Sequence, residues 1–312
     1  MDKNLVNSHD RFFKELFSKK EEVIEFIAKT FPKEIVEKID LQSLELDKTE
    51  YVDSKLRTNY SDIVYNSKYG KNTNIKISLL FEHKSYPETF PHLQLLGYML
   101  KIWETQIKQK QSITPIIPII FYHGKQKWVK QTFDTYFDDI DETLQNFIPK
   151  FEYQLVDTFE YSDDEIIKLF SNLQLQMGLL ILKNIYNEQK IIQEVDKIFG
   201  EINQLLQTEQ GEQFFEAIVS YLYYATNLET PKMVEKMRTI SPNAGEKFVS
   251  TAMRLKMEGR LEGRLEGMKK VAFSMIQENI PDEVILKVTK LTQKELDYLK
   301  TLKEFQLDLE TV

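Results

Sequence analysis

The segment from Tyr60 to Leu100, YSDIVYNSKYGKNTNIKISLLFEHKSYPETFPHLQLLGYML, constrains the fold more than any other part of the chain. Residues 60–66 and 75–81 are short runs rich in β-branched, aromatic and aliphatic side chains. The polar, Asn- and Gly-containing segment NSKYGKNTN joins them, a pattern that predicts an antiparallel hairpin. Asp62 lies near the start of the first strand, and Glu82 and Lys84 close the second. Side chains alternate faces along a strand, so Glu82 and Lys84 project to one side. A hairpin register that carries Asp62 there brings two carboxylates and an ammonium together where an apolar strand ends. Hard cations such as Mg²⁺ take one or two carboxylates, with water and substrate phosphate completing the shell. A neighbouring Lys can hold the attacking water and offset phosphate charge. The plainer reading is an exposed acid and a salt bridge at a fraying strand end; the apolar run ISLLF just before Glu82 favours the functional one.

A helix is expected over 92–109, with apolar residues at Leu93, Leu96, Met99, Leu100 and Trp103. Gln94 and Tyr98 stand four apart and share a face. Beside a phosphate, Gln can position a water and Tyr can hydrogen-bond or stack; taken alone, the pair also suits an ordinary helix surface.

Five motifs in order, HDRFFKELF, SDIVY, LLFEHKS, QLLGY and PIIFYHGKQKW, resemble the Rpn family of recombination-promoting nucleases, within the PD-(D/E)XK superfamily. The resemblance covers residues 8–160 by motif. It implies a restriction-endonuclease-like mixed-sheet core with Mg²⁺ as cofactor, Mn²⁺ or Ca²⁺ being alternatives. Carried over, Asp62 and Glu82 are metal ligands with the His83 backbone carbonyl. Lys84 is the catalytic lysine, and Gln94 and Tyr98 form the accessory pair. The superfamily's Pro before Asp is Ser61 here, which alters backbone shape and not a ligand.

Composition narrows the alternatives. The chain has no cysteine and four histidines, so disulfide frameworks, thiolate sites and His-rich zinc centres are not expected. The N-terminus lacks an apolar signal region and no run approaches membrane-span length, so a cytoplasmic protein with no membrane partner is expected. A net charge of −8 argues against a generally basic nucleic-acid coat. From Lys101 to Gln131, however, six Lys stand against Glu104 alone. Lys101, Lys108 and Lys110, together with Lys14 of the HDRFFK motif, are candidate phosphate contacts. The structural alternatives are a solvated face and an Asp10–Lys14 helix pair.

Elsewhere the pattern predicts one helix over 8–30 and a short helical turn at 35–39. A strand is expected over 43–53, and a buried central strand beginning near Pro118. His123 at its end either faces the site or satisfies a loop, and residues 151–157 form a strand at the sheet edge. FDDIDE at 137–142 reads as a solvated acidic turn. From Ser162, where Ser162 and Glu165 form a capping box, the pattern is helical only. In EGRLEGRLEGM, at 258–268, Gly259, Gly263 and Gly267 repeat every four residues. Gly is costly inside helices, so the repeat suggests close helix–helix approach between subunits; a weak helical linker is the alternative. Thr292 and Glu295 form a second capping box, and the last helices suit protein contact better than base reading.

The expected architecture is therefore α/β: a mixed-sheet nuclease domain over 1–160, a helical subdomain over 161–250, and a Gly-periodic helix with a small helical module over 251–312. The expected function is metal-dependent DNA endonuclease activity of low sequence specificity, on a DNA partner, in a homo-oligomer held by the C-terminal helices. A transposase-type strand transferase and an inactive nuclease-fold scaffold are the alternatives.

Overall fold

The computed structural model describes residues 3–49, 61–71, 73–82, 86–137 and 140–302, with backbone alone at 3–7, 61–62 and 79–82. The chain divides into two compact units, Met1–Phe248 and Val249–Val312.

The first unit opens with α1 (Lys3–Phe17), α2 (Lys20–Thr30) and α3 (Lys33–Val36), then β1 (Ile39–Leu46), β2 (Ser61–Tyr69) and β3 (Thr73–Glu82). α4 (Pro91–Lys108), β4 (Ile116–Tyr122) and β5 (Gln154–Asp157) follow. The five strands lie in the order β1-β2-β3-β4-β5. β1, β2 and β3 pair antiparallel, while β3-β4 and β4-β5 are parallel. The hairpin extends beyond its apolar runs, to the Tyr69–Thr73 pair, and Gly70 turns it at φ +58°, a backbone region that favours glycine. The β3–α4–β4 connection is a crossover, so α4 starts at the C-terminal edge of the parallel strands and ends at their N-terminal edge.

Pleat parity gives the sheet two faces. Ile63, Tyr65, Ile77, Ile119 and Phe121 share one, all buried. α1 and α2 cover it: Phe13, Phe17 and Phe26 ring Phe121 at 5.5–6.0 Å, and the Tyr65 hydroxyl donates to the Phe17 carbonyl. Val64, Ser78, Ile120 and Tyr122 share the other, which α4 covers through Leu95, Tyr98 and Ile102. β1 covers Ile39–Leu46 where a strand over 43–53 is expected, residues 50–53 lying outside the described residues, and the helical turn expected at 35–39 is α3, which ends at Val36. Two further differences from the sequence pattern have local causes. The 8–30 helix breaks at 18–19, which lets α1 and α2 cross the sheet separately. β4 starts at Ile116, with Pro118 inside it; β5 pairs only from Ile119, so at Pro118 the strand has one open side where no donor is needed. β5 lies at the sheet edge, as its length and alternation suggest.

Seven further helices complete this unit: α5 (Asp163–Leu169), α6 (Leu173–Asn184), α7 (Glu188–Gln193), α8 (Val195–Phe199), α9 (Ile202–Leu205), α10 (Glu209–Ala225) and α11 (Thr230–Ile240). Ser162 and Glu165 form the expected capping box. Phe12 stacks on Tyr221 at 4.4 Å, and Gly178 on α6 lets Leu16 approach so closely that an added Cβ would lie 2.7 Å from it. Of the aromatics of α10, Phe214, Phe215 and Tyr221 are core, while Tyr223 and Tyr224 are exposed.

α12 (Pro242–Gln277) begins in the first unit. Its remainder, α13 (Asp282–Thr289) and α14 (Gln293–Thr301) make the second, around Ala272, Ile285, Leu291, Leu296 and Leu299. Thr292 and Glu295 form their capping box. Around Gly259, Gly263 and Gly267 an added Cβ would meet nothing within 4 Å.

Candidate active site

The ladder orders the strand ends. Asp62 pairs with Leu80 across the hairpin, and Glu82 is two positions beyond Leu80. A two-residue step returns to the same face, so positions 62 and 82 belong to the face that α4 covers. Glu82 is in turn level with Tyr122, and Tyr122 with Asp157. Positions 82, 122 and 157 therefore form a row along the C-terminal edge of the parallel strands, where ligands of open α/β sheets are taken. His83 and Lys84 lie outside the described residues, and the side chains of Asp62 and Glu82 are likewise not described.

α4 brings the accessory pair to this edge. Tyr98 is buried with Leu95, Ile120, Tyr122, Trp128 and Tyr153. Gln94, one turn nearer the edge, has both ends of its amide buried without a hydrogen-bond partner among the described residues. A buried amide in that state costs about 1–3 kcal/mol, so its presence here fits a polar group at the strand edge. At the helix start, His92 is buried among Phe133, Phe151 and Tyr153, with Nδ1 2.7 Å from the Tyr136 hydroxyl. Burial holds its pKa below the usual imidazole value.

The basic candidates separate. Lys14 is exposed on α1, and Lys101 pairs with Glu104 at 3.3 Å. Lys108 and Lys110 are exposed at the far end of α4. Fourteen residues separate Gln94 from Lys108, a rise of about 21 Å at helical spacing. Lys125, Lys127 and Lys130 instead follow β4 at the near edge, Lys125 over the Tyr186 ring and the other two paired with Glu160 and Glu152.

His123 takes the structural role: fully buried, its Nδ1 donates to the Leu182 carbonyl and its ring stacks on Tyr186. His9 lies 5.5 Å from it, with Nδ1 2.7 Å from the Tyr221 hydroxyl. This ties α1 to the end of β4; one carboxylate oxygen of the neighbouring Asp10 is buried. Asp157 was legible only as a strand end. Burial raises its pKa, against hydrogen bonds from the Trp128 and Phe159 amides, so it pins the loop after β4. Among the described residues no group of three His, Asp or Glu could hold a metal ion.

The candidate site is thus a row of polar positions at the C-terminal edge of the parallel strands of a mixed sheet, under the first turns of a crossover helix. The chain belongs to the family described as "Putative transposase, YhgA-like", which matches residues 7–213. It is similar to the inactive recombination-promoting nuclease-like protein RpnE of Escherichia coli K12, 24% identical over 92% of this chain and 96% of that protein. It also resembles the recombination-promoting nuclease RpnA of the same strain (23%, over 92% and 95%) and RpnD of E. coli O157:H7 (28%, over 51% and 62%). No solved structure matches it. No helix among the described residues is long and apolar enough to cross a membrane.

Proposed function

We propose that the protein is a metal-dependent DNA endonuclease of low sequence specificity, acting in recombination or in defence against foreign DNA. The observation that carries this reading is the ladder register: Asp62 and Glu82 occupy one face at the edge where Gln94 and Tyr98 arrive. The donor set is all oxygen, as Mg²⁺, Mn²⁺ or Ca²⁺ prefer, and the buried Gln94 amide fits a hydrated ion or phosphate beside it. Asp62, Glu82 and the His83 carbonyl would hold the ion. Bound there, the metal supplies charge to polarise the scissile phosphate and to lower the pKa of water. Lys84 orients the attacking water and offsets charge on the phosphoryl oxygens. Gln94 receives a water or phosphate oxygen, Tyr98 fixes the adjoining wall, and the packed aromatics around Tyr122 exclude bulk solvent. Contacts made to phosphate carry no base information, hence the low specificity.

Nicking of supercoiled plasmid by purified protein tests this. Nicking with Mg²⁺, lost in EDTA and in Asp62→Ala, is expected. Equal nicking by the variant would overturn it. The second reading, a scaffold without activity, draws on the similarity to a relative named inactive; the presence of Asp62, Glu82 and Lys84 in this chain weighs against it. A strand transferase would need a DNA hydroxyl as nucleophile in place of water. Assembly through residues 258–268 belongs to the same proposal: Leu261 is well exposed and the glycine stripe leaves its backbone open to a second helix.

A further inference from the structure

α4 is apolar on two sides. One lies on the sheet through His92, Leu95, Tyr98, Met99, Ile102 and Gln106. The other carries Leu93, Leu100 and Ile107, exposed by 54%, 48% and 64%, flanked by half-buried Leu96 and Trp103. Of the apolar residues that mark the helix in the sequence, Met99 faces the sheet while Leu93 and Leu100 point away from it. Leu93, Leu100 and Ile107 are seven apart, the repeat of helices that pair along their length. The Trp103 indole donates to the Thr114 carbonyl at 2.8 Å, so this face is held in shape. A continuous apolar stripe about four turns long marks an interaction surface.

The arrangement is nearly palindromic about Leu100. In an antiparallel pair centred there, Leu100 meets Leu100 of a second copy, and Leu93 meets Ile107. On a helical wheel Leu96 and Trp103 lie on one flank, and Gly97, Lys101, Glu104 and Lys108 on the other. Antiparallel pairing joins like flanks, so Leu96 meets Trp103 and the polar flanks stay together at the rim. Glu104 then lies beside Gly97, where a Cβ would meet nothing within 4 Å. A parallel pair would instead press Glu104 on Trp103. We propose that this face of α4 docks on α4 of a second copy, antiparallel and two-fold symmetric about Leu100.

One consequence rests on the nuclease reading. Lys108 and Lys110, at the far end of their own α4, come level with the first turns of the other copy's α4, beside Gln94. Each copy thereby supplies cations to the strand edge of the other.

The chain has no cysteine, so single-cysteine variants of the full chain report the pairing. Under mild oxidation Leu100→Cys should form a disulfide-linked dimer, and Leu93→Cys alone should link at least about 10-fold less, its copies being about 21 Å apart along the pair. A mixture of Leu93→Cys with Ile107→Cys should link, and adding Leu100→Glu to both should abolish the product. Failure of Leu100→Cys to link would overturn the proposal. That result is also expected if the chain's own C-terminal helices or another protein cover this face, or if copies meet only through residues 258–268. Equal self-linking by Leu93→Cys would overturn it too. For the lysines, Asp62→Ala protein mixed with Lys108→Ala/Lys110→Ala protein should nick more than the sum of the two alone; no gain would overturn delivery between copies. If wild-type protein does not nick, the nuclease reading fails while the cross-links still decide the pairing.

Discussion

Lys76 is the least expected residue of the sheet. It lies inside β3, six positions before Glu82 on the same face, and is 5% exposed. It pairs with the buried Asp47 carboxylate just after β1, and its ammonium also donates to Asn66 Oδ1 at 2.7 Å. Removing one partner of a buried pair costs about 3–5 kcal/mol, because a charge is left in a poor solvent. At about 2–4 °C per kcal/mol for a unit of this size, Asp47→Ala should lower the melting temperature by about 6–20 °C. Replacing both charges with apolar groups of similar volume, in Asp47→Leu/Lys76→Met, removes the uncompensated charge and should recover most of that loss. Thermal unfolding followed by circular dichroism reads both variants. A drop below about 2 °C for Asp47→Ala, or a double variant no better than the single one, would refute the assignment of Lys76 as a buried ion whose partner is Asp47.

Other outcomes follow from the same geometry. An added Cβ at Gly124 would lie 1.9 Å from the Tyr122 hydroxyl, and Tyr122 is held edge-on against Trp128; Gly124→Ala should cost about 1–3 kcal/mol and reduce plasmid nicking, since Tyr122 is level with Glu82. Wild-type nicking by a destabilised Gly124→Ala would separate the loop from the site. Burial lowers the His92 pKa from 6.5, so the unfolded chain binds the proton more readily. The stability this residue contributes is full above pH 6.5 and is lost as pH falls below it, and His92→Gln should flatten the slope of melting temperature with pH there. For Glu25, burial raises the carboxyl pKa, but hydrogen bonds from Ser171 and Asn172 outweigh it and leave the pKa lowered from 4.5. Glu25→Gln should therefore be destabilising at pH 7, by about 1–3 kcal/mol, with the difference from wild type shrinking as pH falls below 4.5. A constant difference would refute the charge-assisted cap.

The sequence by itself determined what depends on neighbours along the chain. Period-two runs and a polar turn specified the β2–β3 hairpin, and helical spacing specified α4. Ser162–Glu165 and Thr292–Glu295 specified their capping boxes, because a cap is a contact three residues long. The order of five short motifs indicated the family. Only the tertiary structure decided what depends on distant partners. Which side of α4 meets the sheet is one case: Leu93 and Leu100 are as apolar as Leu95, yet only the register of β3 against β4 selects the side that is covered. The separation of Lys108 and Lys110 from the strand edge is another, since a crossover between parallel strands must carry its far end about 21 Å away. Lys76 is the last, because an ammonium in a strand reads as solvated until chain distant in sequence brings Asp47 to it.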